Sequence, residues 1–595
     1  METRWSKYYP EWTGDAADMP SGTMYSRLCG VCREYPYRTA YEYYSQKATY
    51  SDLLNQIDAA ATMWQRIGVT EGDGVCLCMG GCPDLIISLY ALDRLGAVVS
   101  LLVPDFTAEE FVDFASNTGA SYALMSYNQY SKWSGVLDKT GIKKIVIGKY
   151  KDFVPAGISI KYSMSGIAEY DRKCEINGDI PVVLWKTASS EAGDYIMSDS
   201  YSEPDYCEDD HRISMRFVST LRDQDIVAIE SEDHAINAAS DISSIIFKRC
   251  EKKNGSPLRV LCLNEYCYVY GFIMGIHNVL LSGQTLLIYT LFDTENVVAP
   301  IRLYKPDCLV AFSGTVAKLN AAASNAQVLR RVKYIFSGGV PLTLAQRAGL
   351  MSIMRLLDKE PEIHAFYGNS ELFEFLYCMP ELSSESAVGI PLPDVLVKIV
   401  DREAFLDMPR GREGEIAVHS PAMCTSFLMR DGSHYTPFRK LSDGRSWFLT
   451  EDLGEENEDG VFFRYSSVRG RFKIKSATVY PSKVENVIEL VAGVRAVGCV
   501  VTDTVEGPLL TAAVVPEEHF FYDNDAMMAL RERINEECAS MLPEPMRPSD
   551  VCFFASIPKT PSGRFDYAEL GKRVTDIRAQ MEELEEDEGS QETDI

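Results

Sequence analysis

Residues 53–68 read L-L-N-Q-I-D-A-A-A-T-M-W-Q-R-I-G and residues 75–79 read V-C-L-C-M. The first stretch places apolar residues at helical spacing and stops at Gly68, so it predicts a capped helix. Gly72 and Asp73 form a turn, and the second stretch is a short buried strand. A helix over 84–95 follows, closed by Gly96, and then a second buried strand over 97–103. Helices alternating with apolar strands imply a parallel sheet covered on both faces, so the fold class is α/β.

Working outward, the same rhythm returns at 258–263, 284–289, 308–312 and 334–336. Between them, residues 171–212 are polar with little periodicity and read as a surface excursion. Near Asp459 and Gly460 the texture changes. A strand over 461–464, a helix from Pro481, strands over 493–502 and 509–515, and a helix over 525–542 make a small α+β unit. The expected division is a large domain over 1–460, a small domain over 461–574 and an acidic, disordered tail over 575–595. The final fifteen residues carry eight acidic side chains and no basic one.

A chain of 595 residues exceeds one core. A formal charge of −28 argues against nucleic acid or an anionic membrane surface as the main partner. The 16 cysteines have no repeating spacing, and Cys29 and Cys32 form a lone C-x-x-C without the further ligands a metal site needs. The most apolar stretch, 266–281, contains His277 and Asn278 and falls short of a membrane span. A reduced, cytoplasmic protein is expected. No Walker-type phosphate loop, H-E-x-x-H or G-x-S-x-G is present.

A series of segments carries a resemblance. Y-P-Y-R-T-A-Y (35–41), A-T-Y-S-D-L (48–53), G-V-T-E-G-D-G-V (68–75) and L-D-R-L-G-A-V-V (92–99) come first. F-S-G-G-V-P-L (336–342), Y-G-N-S-E (367–371), V-G-I-P-L-P-D (388–394) and G-R-E-G-E-I-A-V (411–418) follow. D-G-R-S-W-F-L-T-E-D-L-G (443–454), V-Y-P-S-K-V-E-N-V-I (479–488) and P-K-T-P-S-G-R (558–564) complete the set. In this order they resemble the AMP-forming acyl-CoA synthetases of the adenylate-forming superfamily. The resemblance implies a large multi-subdomain N-terminal domain and a mobile small C-terminal domain. It also implies a ligase that attaches a carboxylic acid, with a fatty acid as the expected class, to AMP from ATP and then passes the acyl group to coenzyme A.

The resemblance assigns the site residues. Gly338 and Gly339 would let the backbone approach adenine, Tyr367 and Gly368 would bound the ring, and Asp452 would accept the ribose hydroxyls. Glu371 would hold magnesium, whose preference is for hard oxygen ligands. Arg564 stands at the catalytic lysine position, and a planar fork does not reproduce a flexible point charge. Tyr268 takes an acyl-pocket position.

Other positions depart from the pattern. The phosphate loop falls on 219–228, S-T-L-R-D-Q-D-I-V-A, which has no glycine and puts Val227 or Ala228 at its lysine position. Asp223 and Asp225 add negative charge where a triphosphate would lie, a repulsion of roughly 1–4 kcal/mol per pair at surface-like dielectric, with Arg222 able to offset part. Glu451 replaces a glycine beside Asp452. Ser467 stands where the family has a ribose-contacting arginine, with Arg469 and Arg471 close by, and Ser476 replaces a small-domain glycine. Three readings follow: a weakened acyl-CoA ligase, a noncatalytic homologue (a pseudoenzyme) holding a nucleotide or acyl ligand, or an enzyme using a preformed adenylate.

Overall fold

A computed structural model describes residues 5, 8–9, 22–154, 171–176, 178–192, 212–221, 225–290, 297–321, 323–339, 342–355, 357, 361–382, 387–467, 472–474, 477–504, 507–558 and 566–592. The stretch that opened the reading becomes the helix Tyr50–Ile67, the strand Gly74–Cys78, the helix Pro83–Arg94 and the strand Val98–Leu101. Thr49 caps the first helix, accepting from Asp52 N while the Asp52 carboxylate accepts from Thr49 N. Gly68 ends it at φ 114, a left-handed conformation that suits a residue without Cβ.

These strands lie near the middle of a nine-stranded sheet. Gly74–Cys78 pairs in parallel with Val98–Leu101 on one side and Ala120–Met125 on the other. A fourteen-stranded sheet carries the parallel strands Thr285–Ile288, Arg259–Cys262, Cys308–Phe312, Tyr334–Gly338 and Glu362–Asn369 as neighbours. It then turns antiparallel through Phe373–Cys378, Ala387–Pro391, Phe462–Ser467 and Ser446–Glu456. One apolar core joins the helices of the first sheet to the central strands of the second. The apolar stretch near 266–281 is buried inside it as a helix with one π-type turn, Ile273–His277. Among the described residues no helix is long and apolar enough to cross a membrane.

The C-terminal part packs a three-stranded sheet, Val494–Thr504, Gly507–Pro516 and Asp550–Phe553, against the helices Pro481–Ile488 and Asn524–Met541. The last helix, Tyr567–Glu592, continues through most of the acidic run, where a disordered tail was expected.

Part of the polar segment at 171–212 carries regular structure at the edge of the sheet. Val182–Leu184 adds a parallel edge strand beside Lys144–Ile147, and the helix Trp185–Ala192 buries Trp185. Asp171 is buried and accepts from Tyr150 N (3.0 Å) and Lys151 N (2.9 Å). Three apolar residues are too short a run to show a period, so the pairing strand was hidden by its polar neighbours. Residues 193–211 lie outside the described residues. Cys29 and Cys32 sit in the helix Met24–Glu34, both buried, and burial pushes the Cys32 thiol up to about 12.

Candidate functional site

The site forms where the parallel half of the large sheet meets its antiparallel half. Tyr334–Gly338 and Glu362–Asn369 are parallel neighbours, and a tight turn returns the chain as Phe373–Cys378. Asn369 organises this turn: its Oδ1 accepts from Glu371 N (3.2 Å) and Leu372 N (3.0 Å). Glu371 is half-buried there, and its carbonyl accepts from Cys424 N at 2.8 Å. Gly368 admits no side chain, because a Cβ would stand 2.1 Å from the Phe373 carbonyl oxygen.

Gly338 is equally constrained. A Cβ there would lie 2.1 Å from Tyr270 Cε2, so the flat ring against this glycine is the protein's own. Gly339 has φ 84 and faces Phe312. Tyr270 and Phe312 have ring centroids 5.4 Å apart, and Tyr268 lies 6.2 Å from Phe312. Sequence reasoning placed Tyr268 here and missed Tyr270, two residues on.

Tyr367 and Asp452 are brought together. The Tyr367 hydroxyl donates to Asp452 Oδ2. Arg464 Nη2 donates to Asp452 Oδ1 at 2.8 Å, so both carboxylate oxygens are engaged. Burial pushes the Tyr367 phenol well above its ordinary value, and the Asp452 carboxylate adds to this. Burial alone would lower Arg464, but the opposed charge of Asp452 outweighs it and holds the guanidinium above its ordinary value.

Arg464 is the residue the sequence did not reveal. Asp452 pairs across the strands with Ser467, and Leu453 with Ser466, but Gly454 pairs with Arg464. The register shift leaves Tyr465 as an extra residue, and such a bulge re-aims its neighbours. It brings in an arginine three positions before the expected one. The Tyr465 carbonyl also accepts from Ser482 Oγ (2.8 Å), which ties the bulge to the first helix of the small domain. Tyr480 adds a second tie by donating to Glu413. Glu451 keeps the left-handed backbone of the glycine it replaces, at φ 56, and its N–H donates to Glu415 Oε1 at 3.0 Å.

The segment read as a phosphate loop is a β-hairpin. Ile213–Leu221 and Asp225–Glu232 pair antiparallel, with Leu221 opposite Asp225, so only residues 222–224 connect them. Val227 and Ala228, the lysine positions, are buried in the apolar core. Toward the hairpin tip each strand pairs only with the other, which commits alternate N–H groups to the ladder and leaves no lysine at either position. The described residues of this segment, 219–221 and 225–228, offer a triphosphate neither a glycine nor a lysine. Glu371 is a single carboxylate, and no group of three or more His, Cys, Asp or Glu side chains among the described residues is placed to hold a metal. Arg222, Asp223, Arg469, Arg471, Ser476 and Arg564 lie outside the described residues.

Comparison with known proteins agrees with this layout. The family model described as AMP-binding enzyme matches residues 30–161 and 231–428, and the AMP-binding enzyme C-terminal domain matches 483–564. The unmatched interval 162–230 contains the segment 219–228. A long-chain-fatty-acid–CoA ligase of Yersinia pestis is 23% identical over 590 residues, covering 96% of this chain and 98% of that protein. A 4-coumarate–CoA ligase-like 6 protein of Arabidopsis thaliana is 21% identical over 531 residues, 87% of this chain and 84% of its own. Among solved structures, the anthranilate CoA ligase AuaEII in complex with anthranoyl-AMP superposes with a TM-score of 0.73 at 15% identity, covering 94% of this chain and 98% of that one.

Proposed function

The chain belongs to the AMP-binding enzyme family, and on that premise we propose that it is a nucleoside- and carboxylic-acid-binding homologue of the acyl-CoA ligases in which adenylation from ATP is lost. The observation that carries the reading is the hairpin with Leu221 opposite Asp225 in place of a phosphate-cradling loop. Adenylation depends on positioning and neutralising the phosphates, since the attacking carboxylate needs little further covalent help. Without the glycines and the lysine of such a loop, the triphosphate gains nothing over the monophosphate. Tyr367, Gly368, Gly338, Gly339 and Asp452 are the residues proposed for the nucleoside.

Calorimetric titration with AMP, adenosine and ATP·Mg tests this. AMP is expected to bind as well as ATP or better, and ATP binding tenfold tighter than AMP would defeat the reading.

A second reading keeps the full reaction: ATP-dependent activation of a carboxylic acid, magnesium at Glu371, Arg564 in the lysine's place and coenzyme A as acceptor. The C-terminal family match, which runs to Arg564, favours it. Exchange of labelled pyrophosphate into ATP in the presence of a carboxylic acid would establish it. Thioester formation only from a supplied acyl-adenylate would instead mark an enzyme that skips the first step.

A further inference from the structure

The first long helix, Met24–Glu34, is fastened at its N-terminus to two buried acids. Met24 N donates to Asp233 Oδ1 (3.1 Å), and Tyr25 N donates to Asp93 Oδ2 (2.7 Å). Asp93 is fully buried and Asp233 is 3% exposed. Asp93 comes from the end of the helix Pro83–Arg94, and Asp233 opens the helix Asp233–Asn254. Arg212 Nη2 donates to Asp233 Oδ2 at 3.1 Å, while its Nη1 reaches Glu71 at 3.9 Å. Arg212 directly precedes the hairpin strand Ile213–Leu221, and Asp233 directly follows the strand Asp225–Glu232. The acid pair therefore stands at the base of the hairpin, with the first helix laid on it.

Two buried acids here face one guanidinium, and that guanidinium is shared with Glu71. The helix end adds only a partial positive charge. Asp93 and Asp233 are also hydrogen-bonded to each other, side chain to side chain. Carboxylates only accept, so a bond between two carboxyl groups requires a proton. Asp93 Oδ1 receives no N–H or O–H among the described residues, as suits an oxygen that carries the proton itself. The proton belongs on Asp93, because the guanidinium is bonded to Asp233. Burial, and then the Asp233 charge, push the Asp93 carboxyl well above its ordinary value.

We infer that Asp93 and Asp233 share one proton, and that the pair is a pH-sensitive latch holding the first helix to the base of the hairpin. Opening the latch brings Asp93 to water, where it ionises at an ordinary carboxylate value. The closed form then binds one proton more than the open form. Closure is fully favoured below the ordinary carboxylate value and weakens as pH rises toward the raised one.

The other groups around the pair are already engaged. The Tyr90 hydroxyl, one turn before Asp93, bonds His277 Nδ1 at 2.9 Å. The Tyr25 hydroxyl and Arg94 both donate to Asp58 Oδ1 (2.8 and 2.7 Å). Arg27 pairs with Asp241, and His234 with Glu232 (3.0 Å). Cys29 and Cys32 lie further along the first helix. Burial holds the Tyr25 and Tyr90 phenols and the Cys32 thiol above their ordinary values, and His277 below its own. In the closed form none of these four changes charge between pH 7 and 8.

Hydrogen exchange of the full chain, read by mass spectrometry on peptides spanning 23–34 at pH 7 and pH 8, tests the latch. Asp93→Asn keeps both bonds, accepting from Tyr25 N and donating an N–H to Asp233, with no proton to lose. After correction for intrinsic exchange rates, wild-type protection is expected to fall about tenfold further than that of Asp93→Asn over this pH unit. Asp93→Asn is also expected to be at least about tenfold better protected at pH 7, because its closed form takes up no proton. Asp233→Asn leaves Arg212 without its carboxylate and is expected to lose protection at least about tenfold. The same pH dependence in wild type and Asp93→Asn, or equal or lower protection in Asp93→Asn, overturns the inference. So does an Asp93→Asn chain that fails to fold, since the amide reproduces the protonated acid. Protection in Asp233→Asn matching that of Asp93→Asn would remove the proton from Asp93 and overturn it as well.

Discussion

Arg464 Nη2 lies 2.8 Å from Asp452 Oδ1, on the carboxylate whose other oxygen accepts the Tyr367 hydroxyl. The group expected to receive ribose hydroxyls is therefore already bonded within the protein. A ligand must share these oxygens or displace their partners. The arginine and aspartate side chains are 24% and 15% exposed, so the pair is only partly screened by water. Arg464→Met is expected to lower unfolding free energy by about 1–3 kcal/mol, because Asp452 keeps its charge and loses a charge-assisted bond. Urea unfolding measures this, and an unchanged midpoint and slope would mean the pair contributes nothing.

Asp452→Ala should remove whatever nucleoside affinity the protein has. Two ribose hydrogen bonds to a carboxylate are worth roughly 1.5–3 kcal/mol, about a tenfold to hundredfold loss. The variant also leaves Arg464 without its partner, so circular dichroism must first show that it folds. A folded Asp452→Ala protein with undiminished AMP affinity would remove Asp452 from the proposed site.

Stability should fall as pH rises from 6.5 to 8. Burial raises Glu374 to about 8 and Glu485 to about 7, both above the ordinary carboxylate range. A carboxyl with a raised folded pKa binds its proton more tightly when folded. Its contribution is complete below the unfolded value and is lost as pH rises through the folded one. His277 and His364 are both lowered to about 3 by burial, so they cost stability as pH falls through their unfolded value of 6.5 and add only a small, fading opposite slope above it. Above pH 6.5 the raised carboxyls decide the slope. Glu374 alone accounts for about 1–2 kcal/mol over this window, and Glu374→Gln should flatten the profile by that amount. A wild-type stability that is level or rising from pH 6.5 to 8 would contradict the assignment.

The fold was readable because its elements announce themselves locally. Thr49 with Asp52, and Gly68 at φ 114, bound a helix whose ends the sequence placed within three residues. The short strand Val182–Leu184 carried too few residues for a period to appear, and its place at the sheet edge depends on pairing with Lys144–Ile147. The site was legible only where resemblance named a position, as with Tyr367 and Asp452. Arg464 could not be found by counting, because a bulge at Tyr465 changes which residue faces Asp452. Glu451 is the reverse case. The letter changed from the family's glycine, yet the backbone kept the left-handed conformation glycine favours. Tyr270 and Glu374 are apparent only as atoms lacking partners, which no sequence pattern records.

Arg564 gives the last prediction. The residue at this position has to reach a crowded centre as a compact charge, and arginine keeps the charge while placing its donors differently. If that were the main lesion, Arg564→Lys would restore adenylation. The large domain argues otherwise. The strands Ile213–Leu221 and Asp225–Glu232 pair up to Leu221 and Asp225, and Val227 and Ala228 are packed in the core, where a lysine could not reach phosphate. Ser467 faces Asp452 without a guanidinium, and the substitute Arg464 is bonded to Asp452. None of these features changes when residue 564 changes. Arg564→Lys is therefore expected to give no exchange of labelled pyrophosphate into ATP with heptanoate supplied. Exchange appearing in this single variant would locate the defect at residue 564 and make the hairpin irrelevant to catalysis. Exchange by the unmodified protein would show that the hairpin admits a triphosphate, and the proposed loss of adenylation would be wrong.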